Sequence, residues 1–121
     1  MTIQIATVSV DAIEPERLAQ FWSDVLGWAY EVDGDGDVLV RPAEGHPDHH
    51  RSSHLLFLAV PEAKSGKNRI HLDLVPDDQA AEVKRLEALG ARRASVGQTG
   101  EESWVVMADP EGNEFCVLRA R

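Results

Sequence analysis

The stretch Arg69-Ile70-His71-Leu72-Asp73-Leu74-Val75-Pro76-Asp77-Asp78, with the run that follows it to Leu89-Gly90, decides the fold. Arg69 to Val75 alternates polar and apolar residues with a period near two, the pattern of a strand with one buried face. Pro76-Asp77-Asp78 then opens a helix, because acidic side chains are favoured at its positive N-terminal end. Ala80, Val83, Leu86 and Leu89 line that helix, and Gly90 ends it. Three short strands complete the unit: Ala91 to Ser95, Ser103 to Ala108 and Glu114 to Arg119. The last is entered through the tight turn Asp109-Pro110-Glu111-Gly112-Asn113.

Toward the N-terminus the same order of elements appears once more. Ile3 to Val10 reads as a strand, and Pro15 suits the first turn of a helix. Leu18, Phe21, Trp22, Val25 and Leu26 form an apolar stripe at helical spacing, and Gly27 closes it. Trp28 to Val32, Val38 to Arg41 and Leu55 to Val60 are the next strands, with the turn run Asp33-Gly34-Asp35-Gly36-Asp37 between the first two. Leu26-Gly27-Trp28 matches Leu89-Gly90-Ala91, and Thr7-Val8-Ser9-Val10 matches His71-Leu72-Asp73-Leu74, at separations of about 63–64 residues. One βαβββ unit therefore occurs twice in a single α+β domain covering residues 1–121. Module one spans about residues 1–60 and module two about 69–121, and the polar linker 61–68 holds Lys64, Gly66, Lys67 and Asn68.

Composition narrows the function. A net charge of −9 argues against nucleic acid and anionic membranes, which require Lys and Arg to displace counterions. It fits an acidic, bacterial-type solvated surface instead. No apolar run nears the roughly 20 residues of a membrane span, and the N-terminal residues carry no secretory pattern. Cys116, the lone cysteine, has no internal disulfide partner and fits a reducing compartment, so the expected location is cytoplasmic.

Phe21-Trp22…Val25-Leu26-Gly27-Trp28, Lys67-Asn68-Arg69-Ile70-His71-Leu72-Asp73-Leu74 and Asp109-Pro110-Glu111-Gly112-Asn113-Glu114-Phe115 together resemble the vicinal oxygen chelate superfamily. Within it they look like the small glyoxalase-like and bleomycin-resistance-like branch, over essentially the whole chain. The resemblance implies two tandem βαβββ modules (the glyoxalase/bleomycin resistance/dioxygenase fold) whose curved mixed sheets enclose a cavity. It also implies a homodimer and, in many members, a divalent metal. The activities it brings with it range from glyoxalase and dioxygenase chemistry to the sequestration of antibiotics, and fold analogy does not choose among them.

The resemblance places metal ligands on the first and last strands of each half. His71 stands at the histidine position of the second half, whereas its repeat mate is Thr7. The last-strand glutamate, seven residues past Asp109, is replaced by Cys116, and Leu55 to Val60 holds no carboxylate. A catalytic divalent site needs three protein ligands, so the expectation is that the usual metal site is degenerate. A replacement would draw on His71 and Cys116, with oxygen from Asp73 or Glu114. Strand parity supports this grouping, since Arg69, His71 and Asp73 alternate with Ile70, Leu72 and Leu74, and Glu114 and Cys116 with Phe115 and Val117. The alternative is a cavity histidine beside an inert buried thiol.

Arg69 suits a bidentate carboxylate contact, while Lys64 and Lys67 read as solvated linker charges. Phe57 and Trp104 are candidate walls of the cavity, and Trp22 is read as core. His46-Pro47-Asp48-His49-His50 reads either as a mobile polar connection or as a lid. The expected function is small-molecule binding in the sheet cavity, with His71 as the general acid/base of any reaction. The rivals are a metal-dependent lyase, isomerase or dioxygenase with a rearranged site, and a non-enzymatic drug-sequestration protein.

Overall fold

The computed structural model describes residues 3–49 and 51–121. The chain divides into two compact units, Met1–Ala63 and Lys64–Arg121.

The first unit runs β1 (Thr7–Ala12), α1 (Pro15–Leu26), β2 (Ala29–Val32), β3 (Val38–Arg41) and β4 (His54–Ala59). Its four strands lie in the order β1-β4-β3-β2, with β1 parallel to β4 and the other neighbours antiparallel. Pro15 starts α1 without the loss of a helical hydrogen bond, and Gly27 ends it in the left-handed region at φ 70°. Leu18, Ala19, Phe21, Trp22 and Val25 are buried along the helix, with Phe21 and Trp22 meeting edge to face at 5.3 Å. Val38 and Val40 of β3 and Leu55 and Phe57 of β4 form the buried sheet face beneath it. Thr7, Ser9, Asp11, His54, Leu56 and Leu58 alternate onto the opposite face.

The second unit repeats that plan: β5 (Leu72–Leu74), α2 (Gln79–Leu89), β6 (Arg92–Arg93), β7 (Val105–Ala108) and β8 (Glu114–Val117), in the order β5-β8-β7-β6. Asp78 caps α2, its carboxylate accepting from the N–H of Ala81 at 3.1 Å. Only Val83 and Leu86 are buried on this helix, and Ala80, expected in the stripe, is exposed. Met107, Phe115 and Val117 form the apolar sheet face, fully buried, and α2 packs on β8. Leu72 and Leu74 lie on the same face through their pairing with Phe115 and Val117.

Both helices and the repeated strand order agree with the sequence reading, but strand ends shift. The first strand begins at Thr7 rather than Ile3, because β4 offers no ladder partner before His54; Ile3 and Ile5 are 96% and 72% exposed. The second unit's first strand is Leu72–Leu74, not Arg69 to Val75. It is an edge strand whose one neighbour, β8, supplies three rungs. Arg69 and His71 therefore precede the ladder, and Ile70, expected to pack inward, is 73% exposed.

Two tight turns share one geometry at different places in the repeat. Asp33 to Asp37 joins β2 to β3, and Asp109 to Asn113 joins β7 to β8. In each, the first aspartate's Oδ1 accepts from backbone N–H groups two and four residues on, at 2.8 and 3.1 Å for Asp33 and 3.0 and 2.9 Å for Asp109. In each the fourth residue is a glycine with positive φ, Gly36 at 85° and Gly112 at 89°, a conformation that other side chains resist. The long hairpin connections are exchanged accordingly: residues 42–53 between β3 and β4, and residues 94–104 between β6 and β7.

Candidate functional site

The parallel register of β5 and β8 sets Asp73 directly beside Cys116. Neighbouring residues on paired strands project to the same face, so this rung presents a carboxylate next to a thiol. Asp73 is exposed and Cys116 is 8% exposed. Burial pushes the Cys116 thiol up, and both the negative charge of Asp73 and a hydrogen bond to it push the same way. A raised thiol pKa disfavours the thiolate and leaves Cys116 a weak nucleophile. His71, half-buried, precedes Leu72 by one residue in the segment leading into β5.

Glu114 opens β8 and is spoken for within the second unit. Lys64 Nζ sits 3.1 Å from its Oε2, with the two side chains 21% and 12% exposed. Asn68 adds its backbone N–H to the same oxygen and its side-chain amide to the Glu114 carbonyl, both at 3.4 Å. Burial works to raise the Glu114 pKa, but the hydrogen bonds and charge of Lys64 and the Asn68 N–H outweigh it and hold the carboxyl low. Lys64 also donates to the Gly66 carbonyl, so this linker lysine, expected to pair with an acidic neighbour, clasps residues 64–68 to β8.

The remaining sequence candidates fall elsewhere. Thr7 is exposed on the first sheet, paired with His54. Phe57 is 1% exposed and belongs to the buried face under α1, so it stands in the core of the first unit rather than on an open face. Arg69 is exposed, off the ladder and without an ion pair among the described residues. Trp104, 43% exposed, lines a cleft of about 210 Å³ with Arg93, Gln98, Glu102 and Val106. In the histidine tract, His46 Nδ1 accepts from the Asp48 N–H at 3.0 Å, and successive turns link Ala43 to His46 and His46 to His49. His50 lies outside the described residues.

One residue escaped the sequence reading. His54 begins β4 on the same rung as Thr7, which places an imidazole at the open face of the first sheet. The expected strand began at Leu55, one residue too late, and its unbroken apolar run gave no parity to place His54.

Family members typically bind a divalent metal. Among the described residues, Asp33, Asp35 and Asp37 are the one set of three acidic, histidine or cysteine side chains with ligand atoms within 4.8 Å of one another. These carboxylates could hold an ion, yet two of them already serve the fold: Asp33 closes its turn, and Asp37 accepts from the Ala59 N–H at 2.9 Å. His71, Asp73 and Cys116 form no such triad, and Glu114 is engaged by Lys64. The donors gathered in the second unit do not fit the three-ligand set of a catalytic divalent ion.

A family model described as the glyoxalase-like domain matches residues 7–118. The chain belongs to this glyoxalase-like family, within the vicinal oxygen chelate superfamily. Solved structures agree on the fold. A glyoxalase/bleomycin resistance protein/dioxygenase family enzyme from Burkholderia phytofirmans PsJN is 18% identical, with 96% of this chain and 98% of that one covered and a TM-score of 0.67. TnmS3, an antibiotic binding protein from Streptomyces sp. CB03234, is 19% identical over 99% and 98% of the two chains, with a TM-score of 0.66. The oxidase ChaP-H2 is 17% identical over 100% and 96%, with a TM-score of 0.67. At these identities the likeness is one of fold. No curated protein matches the sequence.

Proposed function

We propose that this chain binds a small organic molecule against the Asp73–Cys116 face of its second sheet, with His71, Asp73 and Cys116 as the polar contacts and no resident family metal. The observation that carries the reading is the Asp73–Cys116 rung: an exposed carboxylate held beside a protonated thiol on the strand pair that follows His71. Polar groups on a sheet face lose free energy when covered unless a ligand or water satisfies them. His71 is the group suited to proton transfer, since an imidazole can donate at one ring nitrogen and accept at the other. Metal-free binding is supported by the engaged state of Glu114 and the protonated state of Cys116. The range of folds alike to this one, an antibiotic binding protein and an oxidase among them, is compatible with ligand capture as well as with catalysis. Residence in a reducing cytoplasm accords with a free Cys116, and a homodimer accords with family habit.

Thermal-shift screening of untagged protein against ring-bearing drugs, antibiotics included, tests the reading. A stabilising compound whose effect is lost in His71→Ala and in Cys116→Ala, without added metal, is the expected result. Binding that requires a stoichiometric metal, or that survives both substitutions unchanged, would overturn it.

A further inference from the structure

The cleft beside Trp104 adjoins the Asp73–Cys116 rung through Val106, which lines it and pairs with Cys116, but its recognition groups are other side chains. It lies between the β6–β7 connection and the start of β7, and Arg93, Gln98, Glu102 and Trp104 contribute to its wall. Gln98 and Glu102, the two polar loop side chains in the wall, are both engaged within the loop. Gln98 accepts from the Val96 N–H and donates to the Ala94 carbonyl, each at 2.7 Å. Glu102 accepts from the Thr99 N–H at 2.7 Å, the Thr99 hydroxyl at 3.2 Å and the Gly100 N–H at 2.9 Å. The Thr99 N–H, followed by the Glu102 backbone and the Gly100 N–H, keeps that carboxylate ionised and directed into its own loop.

Two groups are left over. The Arg93 guanidinium has no ion pair or side-chain hydrogen bond among the described residues. Trp104 is 43% exposed, whereas Trp22 and Trp28 are 3% and 9% exposed. With Gln98 and Glu102 engaged within the loop, the cleft presents one planar cation and one aromatic face. Guanidinium pairs with carboxylate in a bidentate fork, and an indole face stacks on flat rings. We propose that this cleft binds a small planar aromatic carboxylate, with the ring against Trp104 and the carboxylate on Arg93.

The test uses full-length protein with 15N-labelled indole groups, titrated with 1-naphthoate. Its three indole N–H signals belong to Trp22, Trp28 and Trp104, and Trp104→Phe assigns the last. The expected result is a saturable shift of the Trp104 signal alone. Arg93→Gln should weaken the apparent affinity about tenfold, the equivalent of one charge-assisted contact, as should replacing the probe by neutral 1-naphthamide. A native-like circular dichroism spectrum and an unshifted Trp104 signal in ligand-free Arg93→Gln certify the fold of its second unit. No saturable Trp104 shift, or equal affinity for naphthoate and naphthamide in the native protein, would overturn the assignment.

Discussion

The two units share one plan and divide its duties differently. In the first, α1 buries Leu18, Phe21, Trp22 and Val25 on a sheet face of valine, leucine and phenylalanine. In the second, α2 buries only Val83 and Leu86, and the polar chemistry gathers on the strands: Asp73 beside Cys116, and Glu114 under Lys64. At the position of His71 the first unit carries Thr7. One unit thus has the larger helix core, and the other has the paired polar groups on its parallel strands. The exchange of tight turns repeats the lesson, since the long connection of the first unit holds histidines and that of the second builds the Trp104 cleft.

Substitutions can break or sharpen this contrast. The largest effect is expected in the first unit's core: Phe57→Ala should cost about 3–5 kcal/mol in chemical denaturation, by lost burial and a residual cavity. Thr7→Ala, on the other face of the same sheet, should change stability by no more than about 0.5 kcal/mol. A comparable loss at both positions would erase the distinction between the faces. In the second unit, Glu114→Gln should cost about 1–2 kcal/mol near neutral pH, because Lys64 loses a half-buried charged partner. The sign follows from the lowered Glu114 pKa: the stabilisation is present above the unfolded carboxyl value and lost as pH falls through the folded one. The native and Glu114→Gln stabilities should therefore converge as the pH falls below the ordinary carboxyl range.

The smallest effect is one of reactivity. Asp73→Asn removes the negative charge that opposes thiolate formation, so Cys116 should react with iodoacetamide several-fold faster at pH 8 while the fold persists. An unchanged rate would separate the thiol from its neighbour and dissolve the rung as a functional unit.

Sequence patterning went far with the fold and less far with the site. Gly27, Gly90 and Asp78 marked helix ends through local chemistry, and each does so in the structure. Strand limits depend on partners distant in sequence, which is why β5 proved shorter than its alternation and β4 shifted by one residue, gaining His54 and losing Val60. Phe57 illustrates the same limit: its face is set by which side α1 covers, and a phenylalanine inside an unbroken apolar strand carries no parity signal. The Asp73–Cys116 pair was legible because both strands alternate cleanly. The Lys64–Glu114 bridge joins residues about fifty positions apart and left no local trace.

The central claim is that the polar column of the second unit receives an organic ligand without holding the family's metal. Elemental analysis of untagged protein, purified without chelators, tests this most directly. The account predicts far less than one divalent metal per chain, with no difference between the native protein and the His71→Ala and Cys116→Ala variants. One tightly held metal per chain, lost on either substitution, would contradict it.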